Sequence, residues 1–265
     1  MPGLIMERMK DMLKDKVVLL TGGADGIGWE CALAYAAAGA RVCIADLNAA
    51  GQDKLPKLPG EGHTFHQCDV TSGPAVVQLF AGIGKVYGRL DAVHNNAGIA
   101  QPARPLHDTE DAEWEALMRV NLKSIYLTTR HGIALLRASK GCILHTSSLV
   151  GSIGQENHAA YVATKGAVNA LTKAMALDYA ADGIRVNAVA PAAIRTPMLE
   201  AWSAEQPQPE IMQRYLDRLQ PLGAMPAGDV IADACVFLLS DAARFITGCI
   251  LPVSGGAELG YRAMI

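Results

Sequence analysis

Lys16-Val17-Val18-Leu19-Leu20-Thr21-Gly22-Gly23-Ala24-Asp25-Gly26-Ile27-Gly28 is an aliphatic run that ends in a glycine-rich turn and passes directly into residues of helical spacing. A short apolar run bounded by Thr-Gly-Gly reads as a buried strand, and the residues after Gly26 read as the helix it feeds. Glycines at such a turn let the backbone approach a pyrophosphate, and the helix start presents unpaired N–H groups and the positive end of a dipole. The spacing is Gly22-x-x-x-Gly26-x-Gly28 and not the commonest dinucleotide fingerprint, Gly-x-Gly-x-x-Gly. Gly22, Asp25, Gly26, Ile27 and Gly28 are therefore candidates for a phosphate loop, against the alternative that the glycines serve helix packing.

Further strands extend the pattern. Arg41–Asp46, His63–Asp69, Leu90–Asn95, Gly141–Ser147, Ile184–Ala190 and Thr247–Val253 are nearly all apolar on both faces, as strands covered by helices on two sides must be. Between them, Ile27–Gly39, Asn48–Leu55, Ala75–Tyr87, Asp111–Ala138, His158–Asp182 and Asp229–Ser240 carry helical period. The alternation predicts an α/β fold: a doubly wound, parallel, seven-stranded sheet of Rossmann type flanked by helices, with right-handed crossovers. Residues 1–15 read as an N-terminal extension and residues 16–265 as one domain. Pro197, Pro207, Pro209 and Pro221 mark 195–225 as a small lid over the strand ends or as a helical excursion packed on the core.

At the end of the second strand stands Asp46, eighteen residues beyond Gly28. A carboxylate there accepts hydrogen bonds from an adenosine ribose and repels a 2′-phosphate. Leu47 and Asn48 bring no cation and Asp25 adds a second negative charge, so NAD is expected in preference to NADP. Asp46 is equally suited to the turn before Asn48, and one side chain can serve both purposes. Asp69, followed by Val70, either meets the adenine edge or caps the next helix.

The 265 residues are 51% hydrophobic and 18% charged, with a net charge of −3. That balance leaves no basic field for nucleic acid or an acidic membrane surface, and no run is long and uncharged enough to span a bilayer. Six cysteines without Cys-x-x-Cys spacing lie mostly among apolar neighbours, so reduced core thiols in the cytoplasm are expected, and no metal site is called for.

Chemistry concentrates in Tyr161-Val162-Ala163-Thr164-Lys165, with Ser148 thirteen residues earlier. One helical turn puts Tyr161 and Lys165 on the same face, where an ammonium favours the phenolate. A Tyr-x-x-x-Lys pair alone is common on helix surfaces, so the remaining motifs decide its meaning.

Taken together, Thr21–Gly28, Asp69-Val70, Asn95-Asn96-Ala97-Gly98, Asn121, Ser148 and Tyr161-x-x-x-Lys165, in this order, resemble the single-domain branch of the short-chain dehydrogenase/reductases. The resemblance runs from about Lys16 to Gly256. It implies that Tyr161 is the general acid/base, that Ser148 bonds the substrate oxygen, and that Lys165 holds the nicotinamide ribose while lowering the phenol. It implies that Asn121 bends its helix and anchors a water of a proton relay. Asn95, Ala97 and Gly98 then close the adenosine side, and Pro191, Ile194 and Thr196 lie toward the nicotinamide. Two departures stand out: Pro191-Ala192 where the family has Pro-Gly, and Ser254-Gly255-Gly256 where it has Asp-Gly-Gly.

In 147–155, 161–168 and 255–261 the resemblance narrows toward members acting on sugars such as L-fucose and on hydroxysteroids. The expected substrate is accordingly a small-molecule alcohol or its carbonyl. Gln155, Glu156, Asn157 and His158 would bond a polyol or form a solvated loop, and His145 would join them if it faces the cleft. Met198, Trp202, Met212 and Tyr215 would wrap an apolar ring or simply pack. The family's habit implies a homotetramer, with Tyr261 reaching a neighbouring subunit. A 3-oxoacyl thioester reductase is the alternative, weakened by Leu177 where similar enzymes carry arginine; a non-catalytic dinucleotide-binding regulator is a further one.

Overall fold

The computed structural model describes residues 9–100, 103–206 and 208–260; Pro207 and Tyr261 lie outside the described residues. β1 (Val17–Thr21), β2 (Arg41–Asp46), β3 (Thr64–Gln67), β4 (Ala92–Asn95), β5 (Cys142–Thr146), β6 (Arg185–Pro191) and β7 (Ile250–Val253) form one parallel sheet in the order β3-β2-β1-β4-β5-β6-β7. Winding reverses between β1 and β4, which opens a crevice at their carboxyl ends where such sheets bind ligands.

Alternation along β1 divides the core. Val18 and Leu20 face one side with Cys31, Ala32 and Tyr35 of α1 (Gly26–Ala37) and Ile231, Cys235 and Val236 of α8 (Asp229–Leu239). Val17 and Leu19 face the other, with α2 (Gly73–Tyr87), α4 (Ser124–Ser139) and α5 (Ala159–Tyr179). These four aliphatic side chains of β1 are fully buried, each contributing about 1.5–3 kcal/mol by leaving water.

Several boundaries differ from the sequence reading for local reasons. The segment expected as one helix over 111–138 is α3 (Asp111–Met118), a π turn (Arg119–Lys123) and then α4. Asn121 sits in that turn and donates to, and accepts from, the backbone of Ile99, so a tertiary contact opens the local helix. Residues Ala49–Lys57 form a 3-10 helix, with Pro56 inside lacking the N–H that an α-helix uses. The expected N-terminal extension packs on the domain from Met9 onward: Leu13 is fully buried and donates its N–H to the carbonyl of Ala38.

The expected lid contains α6 (Pro197–Ala204) and α7 (Pro209–Arg218), each with proline in its first turn. Ala193, Leu216 and Met225, joined by Leu199, Trp202, Met212 and Leu219, give it a small core of its own. Met212 and Trp202 thus pack, whereas Met198 and Tyr215 are exposed.

Candidate active site

A cavity of about 460 Å³ occupies the crevice. One wall is the turn after β1: Gly22, Asp25, Gly26, Ile27 and Gly28 all line it. Gly22 and Gly26 have φ of +64° and +53°, the left-handed region that favours glycine. A methyl group on Gly28 would stand 1.9 Å from the carbonyl oxygen of Gly22, so only glycine permits this approach. Asp25 precedes α1 in extended conformation, and the first turn of α1 carries no acidic side chain to oppose an anion.

Asp46 ends β2 at the same cavity. Its Oδ2 accepts from the N–H of Ala24 and its Oδ1 from the N–H of Asn48, both at 2.9 Å, so it serves the turn and the cavity together. Asp69 and Val70 also line the wall; Asp69 accepts from Thr71, and Ser72, not Asp69, caps α2. The residues therefore fit a dinucleotide: a glycine cradle, a helix start and a carboxylate at the second strand's end.

Ser148, Tyr161 and Lys165 line the opposite end of the cavity. Ser148 follows β5 and accepts from the N–H of Val150 in a short 3-10 turn. Tyr161 and Lys165 stand one turn apart on α5, with Lys165 Nζ 5.6 Å from the centre of the phenol ring. Nζ donates to the carbonyl of Thr146 at 2.8 Å. Burial lowers the Lys165 ammonium to a pKa of about 8. Burial also pushes the Tyr161 phenol above its ordinary value, while its hydrogen bond with Ser148 pulls the other way. The phenol thus shifts upward, against the lowering expected beside Lys165, because desolvation disfavours the charged forms of both groups.

Asn121 lies behind this group, buried, and its Nδ2 donates to Thr164 Oγ1 at 3.0 Å as well as to Ile99. A methyl on Gly98 would sit 3.3 Å from Asn121 Oδ1 and 3.7 Å from Lys165 Nζ, so the glycine keeps the space beside both clear.

Other residues fall differently. Asn95 is buried away from the cavity, its Oδ1 accepting from Thr128; its neighbour Asn96 lines the wall with Ala97 and Gly98. Nδ2 of Asn96 donates to the carbonyl of Gly22 at 3.0 Å, fixing the glycine turn. Ile194 is buried in the core, whereas Pro191, Ala192 and Thr196 line the cavity, Thr196 also capping α6. Gln155 is exposed and off the cavity wall. His158 is buried, its ring 6.4 Å from that of Tyr161 and 5.9 Å from that of Trp202. Trp202 Nε1 is buried without a partner among the described residues. His145 does not face the cleft: it is fully buried beside Asn95 and burial lowers its pKa to about 3. Ser254, in place of the family aspartate, bonds Glu258 and accepts from the N–H of Gly256, so the turn stays closed.

Lys54 went unread in the sequence. Its Nζ donates to the carbonyl of Ala24 at 2.6 Å, stands 3.7 Å from Asp25 Oδ1 and lies over the ring of Trp29. The signal was hidden because a nine-residue 3-10 segment brings it back to the glycine turn.

A strand-turn-helix cradle at the switch point of a parallel sheet, facing a serine-tyrosine-lysine group, defines a dinucleotide-dependent oxidoreductase. Comparison with known proteins agrees. A family model described as enoyl-(acyl carrier protein) reductase matches residues 22–258. L-fucose dehydrogenase of Bos taurus is 43% identical over 247 residues, covering 93% of this chain and 90% of its own. Among solved structures, the aldohexose dehydrogenase of Thermoplasma acidophilum superposes with a TM-score of 0.87 at 31% identity, over 97% of this chain and 99% of that one. The 3-ketoacyl-(acyl-carrier-protein) reductase of Brucella melitensis complexed with NADH gives 0.84 at 30% identity, over 93% and 99%. The chain belongs to the short-chain dehydrogenase/reductase family. It is an oxidoreductase acting on CH–OH groups with a nicotinamide dinucleotide, NAD or NADP.

Proposed function

We propose that this enzyme is an NAD-dependent dehydrogenase that oxidises a secondary hydroxyl of a sugar such as L-fucose, or of a similar small cyclic alcohol, and reduces the corresponding carbonyl. The observation that carries the reading is the convergence of Ser148, Tyr161 and Lys165 on the cavity that the glycine turn closes. In the oxidative direction the Tyr161 phenolate takes the hydroxyl proton, and the Ser148 hydroxyl donates to the substrate oxygen. Lys165 supplies positive charge beside the phenolate, and Asn121 holds the chain at Ile99. A bound nicotinamide would supply the hydride acceptor for the carbon bearing that hydroxyl, and the glycine turn, Asp46 and Lys165 would hold the dinucleotide.

Asp46 supports NAD, because its carboxylate lines the cavity at the point where an adenosine ribose lies in such folds. Lys54 does not offset it: its ammonium is engaged by Asp25 and the carbonyl of Ala24 and is not on the cavity wall. The similarity to sugar dehydrogenases supports the substrate class. Leu177, 81% exposed, leaves an apolar spot where an acidic carrier would need a cation, which disfavours acyl-thioester reduction. We also infer a homotetramer in a reducing cytoplasm, in keeping with six free cysteines and the family's habit. The proposal is tested by following NADH formation with a panel of aldoses, cyclic secondary alcohols and hydroxysteroids. One preferred aldose or cyclic alcohol is expected; activity confined to NADPH-linked reduction of acyl thioesters would overturn it.

A further inference from the structure

Beneath the glycine turn, three elements bring Cys31 of α1, His94 of β4 and Cys235 of α8 together. All three are fully buried, and their ligand atoms lie within 4.8 Å of one another. The Tyr35 hydroxyl, also fully buried, is 2.8 Å from His94 Nδ1. Two thiols and an imidazole in mutual reach, with a phenol oxygen alongside, are the donor set of a tetrahedral site for zinc.

The geometry points to a structural metal site for a thiophilic divalent cation, zinc in the first place, held by Cys31, Cys235 and His94, with the Tyr35 oxygen beside the fourth position. Bonds of about 2.0–2.3 Å set tetrahedral ligand atoms roughly 3.5–3.8 Å apart, so atoms within 4.8 Å of one another need close by no more than about 1.3 Å. Binding displaces one proton from each thiol to solvent and none from the neutral imidazole.

The surrounding bonds already orient the histidine as a ligand. Thr146 Oγ1 donates to Asn96 Oδ1 at 3.0 Å, so the 2.9 Å contact between His94 Nε2 and Thr146 Oγ1 has the histidine as donor. That leaves the Nδ1 lone pair toward Tyr35 and the thiols, the arrangement in which a ligating histidine donates through its second nitrogen. The chain continues to function: Asn96 Nδ2 holds the carbonyl of Gly22, and the carbonyl of Thr146 receives Lys165. A cation here would pin α1, β4 and α8 under the cofactor turn and steady the residues that position Lys165.

Titration of the full-length protein with Cd²⁺, after equilibration by refolding in its presence, tests this through thiolate-to-metal absorption in the near ultraviolet. One equivalent is expected to saturate the signal, zinc to compete it away, and the thermal midpoint to rise. The Cys31→Ala and Cys235→Ala variants, checked for native circular dichroism and NADH binding, are expected to lose the signal; if only one folds, it suffices. His94→Asn is expected to weaken binding by tenfold or more. No absorption change in the wild-type protein, or an undiminished one in a folded cysteine variant, overturns the proposal, because the remaining thiols would then be the ligands.

Discussion

Replacing Asp46 with serine should convert cofactor preference, and the size of the effect follows from its surroundings. The carboxylate sits at the end of β2 on the cavity wall, held by the N–H groups of Ala24 and Asn48 at 2.9 Å each. A ribose hydroxyl donating to this charged acceptor gains about 1.5–3 kcal/mol, so its loss lowers kcat/KM for NAD about 10- to 150-fold. A 2′-phosphate about 4 Å from the same carboxylate would be repelled by about 4 kcal/mol per charge pair at an effective dielectric of ~20. Solvent at this partly exposed position screens much of that, and a gain of about 10- to 100-fold for NADP remains. The ratio of kcat/KM for NADP to that for NAD should therefore rise by about 10²–10⁴ in Asp46→Ser, by initial rates with either cofactor on one substrate. A ratio that moves less than about tenfold would refute the assignment of Asp46 to the ribose, as would wild-type preference for NADP.

The pH profile supplies a second test. Burial raises the Tyr161 phenol and Ser148 lowers it, so kcat/KM for oxidation should fall as pH drops through the phenol pKa, because the phenolate is the reacting form. Ser148→Ala removes the lowering bond and should shift that limb to higher pH while cutting the plateau about 10²–10³-fold; an unshifted limb would argue against the Ser148–Tyr161 bond. Gly28→Ala puts a methyl 1.9 Å from the Gly22 carbonyl and 2.7 Å from Asn96 Nδ2. It should cost about 1–3 kcal/mol in chemical denaturation and weaken NADH binding measured by fluorescence; native-like values for both would mean the turn is not the cradle.

What could be read from the sequence was what local chemistry dictates. Val17 to Leu20 are apolar on both faces and Thr21-Gly22 follows them, so strand, turn and helix followed, and with them the placement of Gly28 and Asp46 at the cavity, where the resemblance also put Tyr161. What could not be read depended on partners distant in sequence or on single-residue parity. The resemblance implied a bend at Asn121, but the contact that makes the π turn there is with Ile99, in a loop after another strand. Adjacent residues at the end of β4 diverge, so Asn95 turns into the core and Asn96 onto the wall, where the resemblance had put Asn95. His145 is likewise turned inward by its place in β5. The raised phenol of Tyr161 reflects burial, which no spacing reveals, and the meeting of Cys31 with Cys235 arises only from packing α1 on α8.

The central claim is that Tyr161 moves the proton in an NAD-linked oxidation. With the best substrate of the panel, Tyr161→Phe keeps the ring and removes only the hydroxyl, so NADH binding should stay within about threefold of wild type while kcat falls by about 10²–10⁴. Turnover within about tenfold of wild type, with cofactor binding intact, would contradict the account.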